Sequence, residues 1–381
     1  MFRAFVRGGC AATAGLALCM SFTGVPAQAA VIHGWQVTNV YGTGAQNFDP
    51  SWPGGLAVPS RTAAWMTWGG CVWPCDSGTN ISALERWNGR RWAPVPAHEL
   101  HGMTPSIVTA SSAKDAWVFG LFPKGRFAGA LHWNGATWTR RSVPTWLIRI
   151  NGSGTADIYP ADFSPRNLWV FSLGGYAGEK RAYAAHYQNG RWTKSYLPAV
   201  PDFAAALSGK DIWLLGQPVT GQNKPVLMHW NGRRWSTSPV PAQHEPGNAV
   251  GLTAIGSHDL WVSWQPDNAG EAQYLLHWNG ARWAKVSFPK GDIGSLVAGD
   301  GHGGIWVYGF LPGKRRGPRF LHLSAGRWTT WGIPLRKGES EGNVDELALI
   351  PGTTSLWAVG NVFSPGGGTE QNRTVIWRYN R

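Results

Sequence analysis

"LLHWNGARW", residues 275–283, decides the reading of the fold, because the chain says it more than once. "LHWNGATW" stands at 131–138 and "HWNGRRW" at 229–235, with altered copies "LERWNGRRW" at 84–92, "AHYQNGRW" at 185–192 and "LHLSAGRW" at 321–328. A second phrase falls between the copies: "AAWMTW", "DAWVFG", "NLWVFS", "DIWLLG", "DLWVSW", "GIWVYG" and "SLWAVG". Its tryptophans, Trp65, Trp117, Trp169, Trp213, Trp261, Trp306 and Trp357, are 44 to 52 residues apart. A self-similar unit of that length points to a repeat architecture in which each unit buries its apolar face on the next.

Each unit divides into four short strands. Strand a is small and apolar, as in "GLTAIGS" at 251–257. A turn follows in which Asp115, Asn167, Asp211 or Asp259 is expected to bond nearby backbone amides through its short side chain. Strand b carries the "LWV" phrase and strand c the "LHW" phrase. Asn-Gly then suits the left-handed residues of a type I′ hairpin. Strand d opens on a Trp and stops at Pro144, Pro198, Pro241, Pro289 or Pro334. Four strands per unit of about 45 residues predict an all-β, seven-bladed propeller with four antiparallel strands per blade. The 51 Gly and 26 Pro among 381 residues fit short strands and turns. The ends of the chain complete the count: "TVIWRYN" at 374–380 is a strand c with no strand d after it, and "GWQVTNV" at 34–40 is a strand d with nothing before it. Pairing them closes the ring and removes its open sheet edges. Residues 30–381 are thus expected to form one propeller domain.

Residues 1–29 read as a secretory signal peptide. Arg3 and Arg7 precede the apolar run "AATAGLALCM", and Ala27-Gln28-Ala29 is a small-x-small cleavage site. The expected location is extracellular, where the close pair Cys71 and Cys75 forms a local disulfide. No later stretch has the ~20 apolar residues of a membrane helix. The formal net charge of +13 becomes +11 without Arg3 and Arg7, a balance that attracts anionic polymers such as cell-wall polyanions. No motif points to specific nucleic-acid recognition, and a monomer is expected.

Strand c carries Arg86, His132, His186, His229, His277, His322 or Arg378 at one equivalent position, next to an aromatic or leucine. Each His belongs to a separate blade, so a shared metal is not expected and hydrogen bonding within the blade is. With these words in place, the chain resembles the kelch-type propellers, in which a strand ends in Gly, an aromatic strand follows and a Trp opens the outer strand. It also resembles secreted repeat proteins of high-GC Gram-positive bacteria built from "HWNG…W" units. The resemblance implies the propeller fold over residues 34–381. The Gly pair of kelch repeats appears only at Gly69-Gly70 and Gly174-Gly175, and no catalytic residue is carried over. A shared fold leaves the function open.

In a four-stranded blade the d–a and b–c loops emerge on one face, the usual ligand surface of propellers, and the a–b and c–d turns on the other. Trp68 and Trp264 replace the Gly that ends strand b elsewhere, Trp73 lies between the cysteines and Trp146 in a d–a loop. Flat aromatic faces there suit stacking on sugar rings. Arg315 and Arg316 in "GKRRGPR" are placed to grip phosphate or carboxylate, or to pair with Glu339, Glu341, Asp345 and Glu346. Other basic residues, such as Arg90, Arg91, Arg233 and Arg234, fall on the opposite rim and read mostly as solvated charge. His98, Glu99, His101, His244 and Glu245 in d–a loops, with Asp157 and Asp345 at the channel mouth, are the candidates for acid–base chemistry on a polysaccharide. The leading expectation is a secreted protein that binds a glycan or cell-envelope polymer through the loop face, without a cofactor or metal. The alternatives are a glycoside hydrolase or polysaccharide lyase, and a protein-interaction scaffold.

Overall fold

The computed structural model describes residues 31–32, 34–41, 48–72, 80–122, 128–148, 158–172, 182–218, 224–241, 246–267, 271–289, 292–311, 317–335, 339, 341–363 and 373–380. They form seven antiparallel sheets, six with strands in chain order a-b-c-d and one that joins the two ends of the chain. In that last sheet Trp35–Tyr41 pairs with Arg373–Tyr379, Trp35 opposite Tyr379 and Tyr41 opposite Thr374, and Val31–Ile32 adds a fifth strand outside it. The closure is welded by Trp35, which is fully buried, stacks on Phe320 of blade 6 with centroids 3.7 Å apart, and meets Trp306 edge-on at 5.5 Å.

The repeated words are the seams. The strand b Trp of one blade meets the strand c and d aromatics of the next: Trp357 lies 5.1 Å from Trp87 and 5.4 Å from Trp92, and Trp169 lies 5.4 Å from Trp230. Edge-to-face contacts between large rings bury much apolar area with defined geometry. The strand c histidine locks the blade from within. It stacks on its own strand b Trp, as in His229 on Trp213 at 3.8 Å and His277 on Trp261 at 4.0 Å. Its Nε2 reaches the acid or amide that opens strand b: His132 to Asp115 at 2.6 Å, His186 to Asn167 at 2.9 Å, His229 to Asp211 at 2.8 Å and His277 to Asp259 at 2.9 Å. These residues therefore serve the imidazole of strand c rather than the turn amides expected above, because the pleat sets the two side chains on one side of the sheet. In blade 6, where Gly304 takes the acid's place, Asp300 reaches His322 from the turn at 2.9 Å and also accepts from the His302 and Gly304 amides. Blades 1 and 7 offer only Ala63 and Ser355 there, and strand c carries arginine instead. Arg86 lies over Trp65 and Trp133, and Arg378 over Trp357 and Trp87, in each case between two blades. Burial lowers the pKa of both guanidinium groups.

The hairpin chemistry departs from expectation in four blades. Asn88, Asn134, Asn231 and Asn279 do not adopt positive φ; their Oδ1 atoms accept two successive amides, as from Arg90 and Arg91 at 3.0 Å, and only the following Gly is left-handed. True two-residue left-handed turns occur at Asn189-Gly190 (φ 49° and 88°) and Ala325-Gly326 (φ 50° and 74°).

Strand a, nearest the axis, carries a bulge at one equivalent point in six blades, for example between Pro105 and Ile107, between Pro201 and Phe203, and between Val344 and Glu346. The bulge throws a strand a carbonyl against the end of strand b. A Cβ on Gly120, Gly216 or Gly360 would sit 2.1, 1.8 or 1.9 Å from the carbonyl oxygens of Thr104, Val200 and Asn343. That contact explains the glycine ending the strand b phrase.

Candidate functional site

Two of the expected ligand-face tryptophans are core. Trp264 is fully buried and Trp68 is 3% exposed. In blade 5 the glycine has moved to strand a: Gly247 has φ +154°, and a Cβ there would meet the Trp264 indole nitrogen at 2.6 Å. Trp68 turns its indole N–H inward to Glu85 Oε1 at 3.3 Å, beside Tyr41 from the closing strand, with which it stacks. Neither ring offers a free face to a sugar, because each fills the space that a glycine leaves open elsewhere. Trp146 sits in a single helical turn, Thr145–Ile148, edge-on to Tyr183 at 5.5 Å, with Lys194 Nζ 5.3 Å above its ring.

Trp73, Cys75, Asp157, His244, Glu245, Arg315 and Arg316 lie outside the described residues, and with them the expected Cys71–Cys75 bridge; the backbone of Cys71, in strand b, pairs with Asp49 of strand a. Arg319, from the same basic loop, pairs with Asp292 at 3.5 Å rather than with the acids proposed for that loop. His98 is exposed, while Leu100 and Met103 of the same loop are buried in the cluster containing Trp133 and Trp138. His101 Nε2 is 2.9 Å from the Trp138 carbonyl, and Arg140 donates to the His101 carbonyl at 2.7 Å. That ties the "PAHELHG" segment to the outermost strand of blade 2, away from Asp345 on the innermost strand of blade 7.

Asp345, expected at the channel mouth, stands on strand a of blade 7 with Glu346 next to it, a neighbour the acid–base candidates did not include. Asp345 is the bulge residue of its strand a, and its carboxylate accepts from Asn343 Nδ2 at 2.9 Å. Burial pushes its carboxyl up to about 6. Glu346, next along, is pushed up to about 7 by burial and then by Asp345. Tyr159 comes from blade 3, and its hydroxyl is pushed up to about 12 by burial and by the charge of Glu346. Strands a of blades 3 and 7 therefore hold a phenol and an acid that feel each other's charge. Glu346 appears in the sequence only as one more acid of a loop; no spacing signal marks it.

The opposite face is the more uniform one. Its a–b turns carry Arg61, Lys114, Arg166 and Lys210, and its c–d turns carry Arg90, Arg91, Arg191, Arg233, Arg234, Arg282 and Arg327, all exposed. The acids near these turns, Asp115, Asp211, Asp259 and Asp300, are each held by a strand c histidine. Among the described residues none of these arginines or lysines forms an ion pair. Blades 1 to 6 thus each present at least one unpaired cation on the same side. Such a face attracts an extended polyanion at many weak points, an attraction that salt screens.

Neither a family model nor a curated protein sequence matches the chain. Among solved structures, it is similar to YCF48 bound to D1 peptide, with TM-score 0.54, 11% identity, and 91% of this chain and 97% of that one covered. It is similar also to the β-propeller domain of the Trilobed protease from Pyrococcus furiosus, with TM-score 0.55, 9% identity, and 87% and 94% covered. The SapL1 lectin in complex with α-methyl fucoside matches with TM-score 0.46, 14% identity, and 75% and 97% covered. The first two likenesses show the propeller architecture and leave the ligand open.

Proposed function

We propose that the chain is an extracellular binding propeller that holds an anionic glycan or related cell-envelope polymer against its turn face. The observation that carries the reading is the set of exposed, unpaired cations on the a–b and c–d turns of successive blades, with the nearby acids taken up by histidines. This moves the binding surface from the loop face, where Trp68 and Trp264 are buried, to the other side of the ring. The signal-like pattern of residues 1–29 supports the extracellular part of this reading. The test is titration with a glycerol-phosphate wall polymer and with a sulfated glycan at several salt concentrations. Binding should weaken steeply with salt. Replacing Arg90, Arg91, Arg233 and Arg234 together by Gln should flatten the slope of log K against log salt by roughly one unit per cation lost from contact, by analogy with phosphate polymers. Salt-independent binding, or a quadruple variant that binds like the parent, rejects the proposal.

A second reading has its own observation: Asp345 and Glu346, adjacent on strand a of blade 7, have carboxyls pushed up to about 6 and about 7, the protonation range of a general acid–base pair. Under it, the protein releases reducing ends or unsaturated sugars from a polysaccharide, and Asp345→Asn or Glu346→Gln abolishes the release. No release from any anionic or neutral glycan offered to the parent protein eliminates this reading.

A further inference from the structure

The seams between blades are not equally closed on the turn face. In blades 1, 2 and 4 the strand c tryptophan covers its seam and donates its indole N–H to a carbonyl of its own a–b turn: Trp87 to Arg61 at 3.1 Å, Trp133 to Ala113 at 3.2 Å and Trp230 to Gly209 at 3.2 Å. Blade 3 carries Tyr187 at this position, and its a–b turn is Pro165-Arg166. The smaller ring and the missing indole leave a pocket of about 490 Å³ between blades 2 and 3, lined by His132 and Arg141 from one side and Pro165, Arg166, Tyr187 and Asn189 from the other.

The cations here are built in rather than scattered. Three residues after the strand d Trp, where blade 2 has Arg141, the other six blades carry Thr38, Val95, Ser195, Ser238, Val286 and Trp331, so only blade 2 has a cation at this position. Its guanidinium is steered from below. Asp115 Oδ1 lies 2.6 Å from His132 Nε2, His132 Nδ1 lies 3.4 Å from Arg141 Nη2, and the imidazole is 5% exposed. His132 thus stands between Asp115, on its Nε2 side, and the Arg141 guanidinium, on its Nδ1 side. Asp115 is held in turn by the Ser111 hydroxyl. One N–H of Arg141 is thereby fixed, and its remaining donors have no acceptor among the described residues. Arg166 faces it across the gap. Asn189 is left-handed and its side chain makes none of the amide caps formed by Asn88, Asn134, Asn231 and Asn279, so its amide is available to a ligand.

We propose that this pocket is a subsite for one tetrahedral oxyanion, a phosphate or sulfate ester group, clamped between Arg141 and Arg166 with the Tyr187 hydroxyl and the Asn189 amide as neutral donors. Two guanidinium groups from separate blades and two neutral donors suit a group with oxygens pointing several ways better than a flat carboxylate. Within the reading of the turn face as a polyanion surface, the pocket sets the register of the polymer and selects its charged group, while the remaining cations act as a diffuse field.

The test is calorimetric titration of the full chain with inorganic phosphate, sulfate and acetate at low salt. Phosphate or sulfate should bind at least about 10-fold more tightly than acetate, and whichever of the two binds more tightly names the ester. Arg141→Gln and Arg166→Gln should each weaken that binding by about 10-fold or more, the scale of a lost charged hydrogen bond. Lys285→Gln, on the outer strand of blade 5, should leave it unchanged. Tyr187→Trp installs the residue that blades 1, 2, 4 and 5 already carry, so it should fill the pocket and abolish oxyanion binding with no fall in Tm. Oxyanion binding that survives Tyr187→Trp, or none by the parent chain, overturns the proposal. The two readings fail separately. Phosphate bound with no polymer bound leaves the subsite standing and removes the polymer surface. Polymer bound no more weakly by Arg141→Gln than by Arg233→Gln leaves the surface standing and removes the subsite.

Discussion

Glu85 gives the most quantitative check on the packing. The equivalent strand c positions in blades 2 to 7 hold Leu131, Ala185, Met228, Leu276, Leu321 and Trp377, so a carboxyl stands where the other blades place apolar side chains. Glu85 is 2% exposed, and burial pushes its pKa from 4.5 up to about 8 against the opposing bond from Trp68. The folded protein therefore keeps Glu85 protonated at neutral pH, whereas the unfolded chain ionises it. An acid with a raised folded pKa contributes its full stability below about 4.5 and loses it as pH rises through about 8. At about 1.4 kcal/mol per unit, the loss from this group between pH 5 and pH 9 is about 4 kcal/mol. Glu85→Gln keeps the shape and an acceptor for Trp68 but cannot ionise. Urea unfolding of parent and variant at intervals from pH 5 to 9 should give two stability curves that diverge, the variant gaining on the parent by about 4 kcal/mol across the range. Other buried acids, Asp162 and Glu346 among them, titrate in both proteins and cancel in the difference. Parallel curves would refute the placement of Glu85 in the core, and with it the account of Trp68 as its partner rather than a ligand platform.

Three further outcomes follow from the same packing. Trp35→Ala removes the fully buried ring stacked on Phe320 and should lower stability by about 3–5 kcal/mol in chemical denaturation, with amide exchange rising first in residues 373–379. Gly216→Ala forces a Cβ to within 1.8 Å of the Val200 carbonyl oxygen and should cost about 3 kcal/mol, read by thermal unfolding, whereas Gly190→Ala meets no atom within 4 Å and is strained only through its φ of +88°. His229→Ala leaves the Asp211 carboxylate without its imidazole and uncovers Trp213; it should cost about 2 kcal/mol, and Asp211→Ala combined with it should add little, as a double-mutant cycle would show.

The repeat made the architecture legible, because both phrases recur with the same strands between them, and the unmatched "GWQVTNV" and "TVIWRYN" required a shared blade. The histidines were legible as intrablade partners, but the identity of their acceptors was not, since register across the b–c pair decides which side chains meet. Asn-Gly was misread in four blades because the same dipeptide serves a side-chain cap or a left-handed turn according to where the strand pair stops: Trp87 pairs with Trp92, but Gln188 pairs with Arg191. Trp68 and Trp264 looked exposed because each stands in for glycine; the compensating Gly247 and the acceptor Glu85 lie on neighbouring strands and meet them only in the folded sheet. The cations of the turn face were visible one by one. Their common lack of partners was not, because it depends on Asp115, Asp211, Asp259 and Asp300 being held by histidines.

Which side of the ring meets its ligand is the central claim, and amide hydrogen exchange on the protein with and without a glycerol-phosphate wall polymer tests it most directly. The account predicts slowed exchange in the c–d turns at residues 88–91, 189–191 and 231–234, strongest at the seam of blades 2 and 3, with the opposite loops unchanged. Protection confined to the d–a and b–c loops, with the arginine turns exchanging as in the free protein, would contradict it.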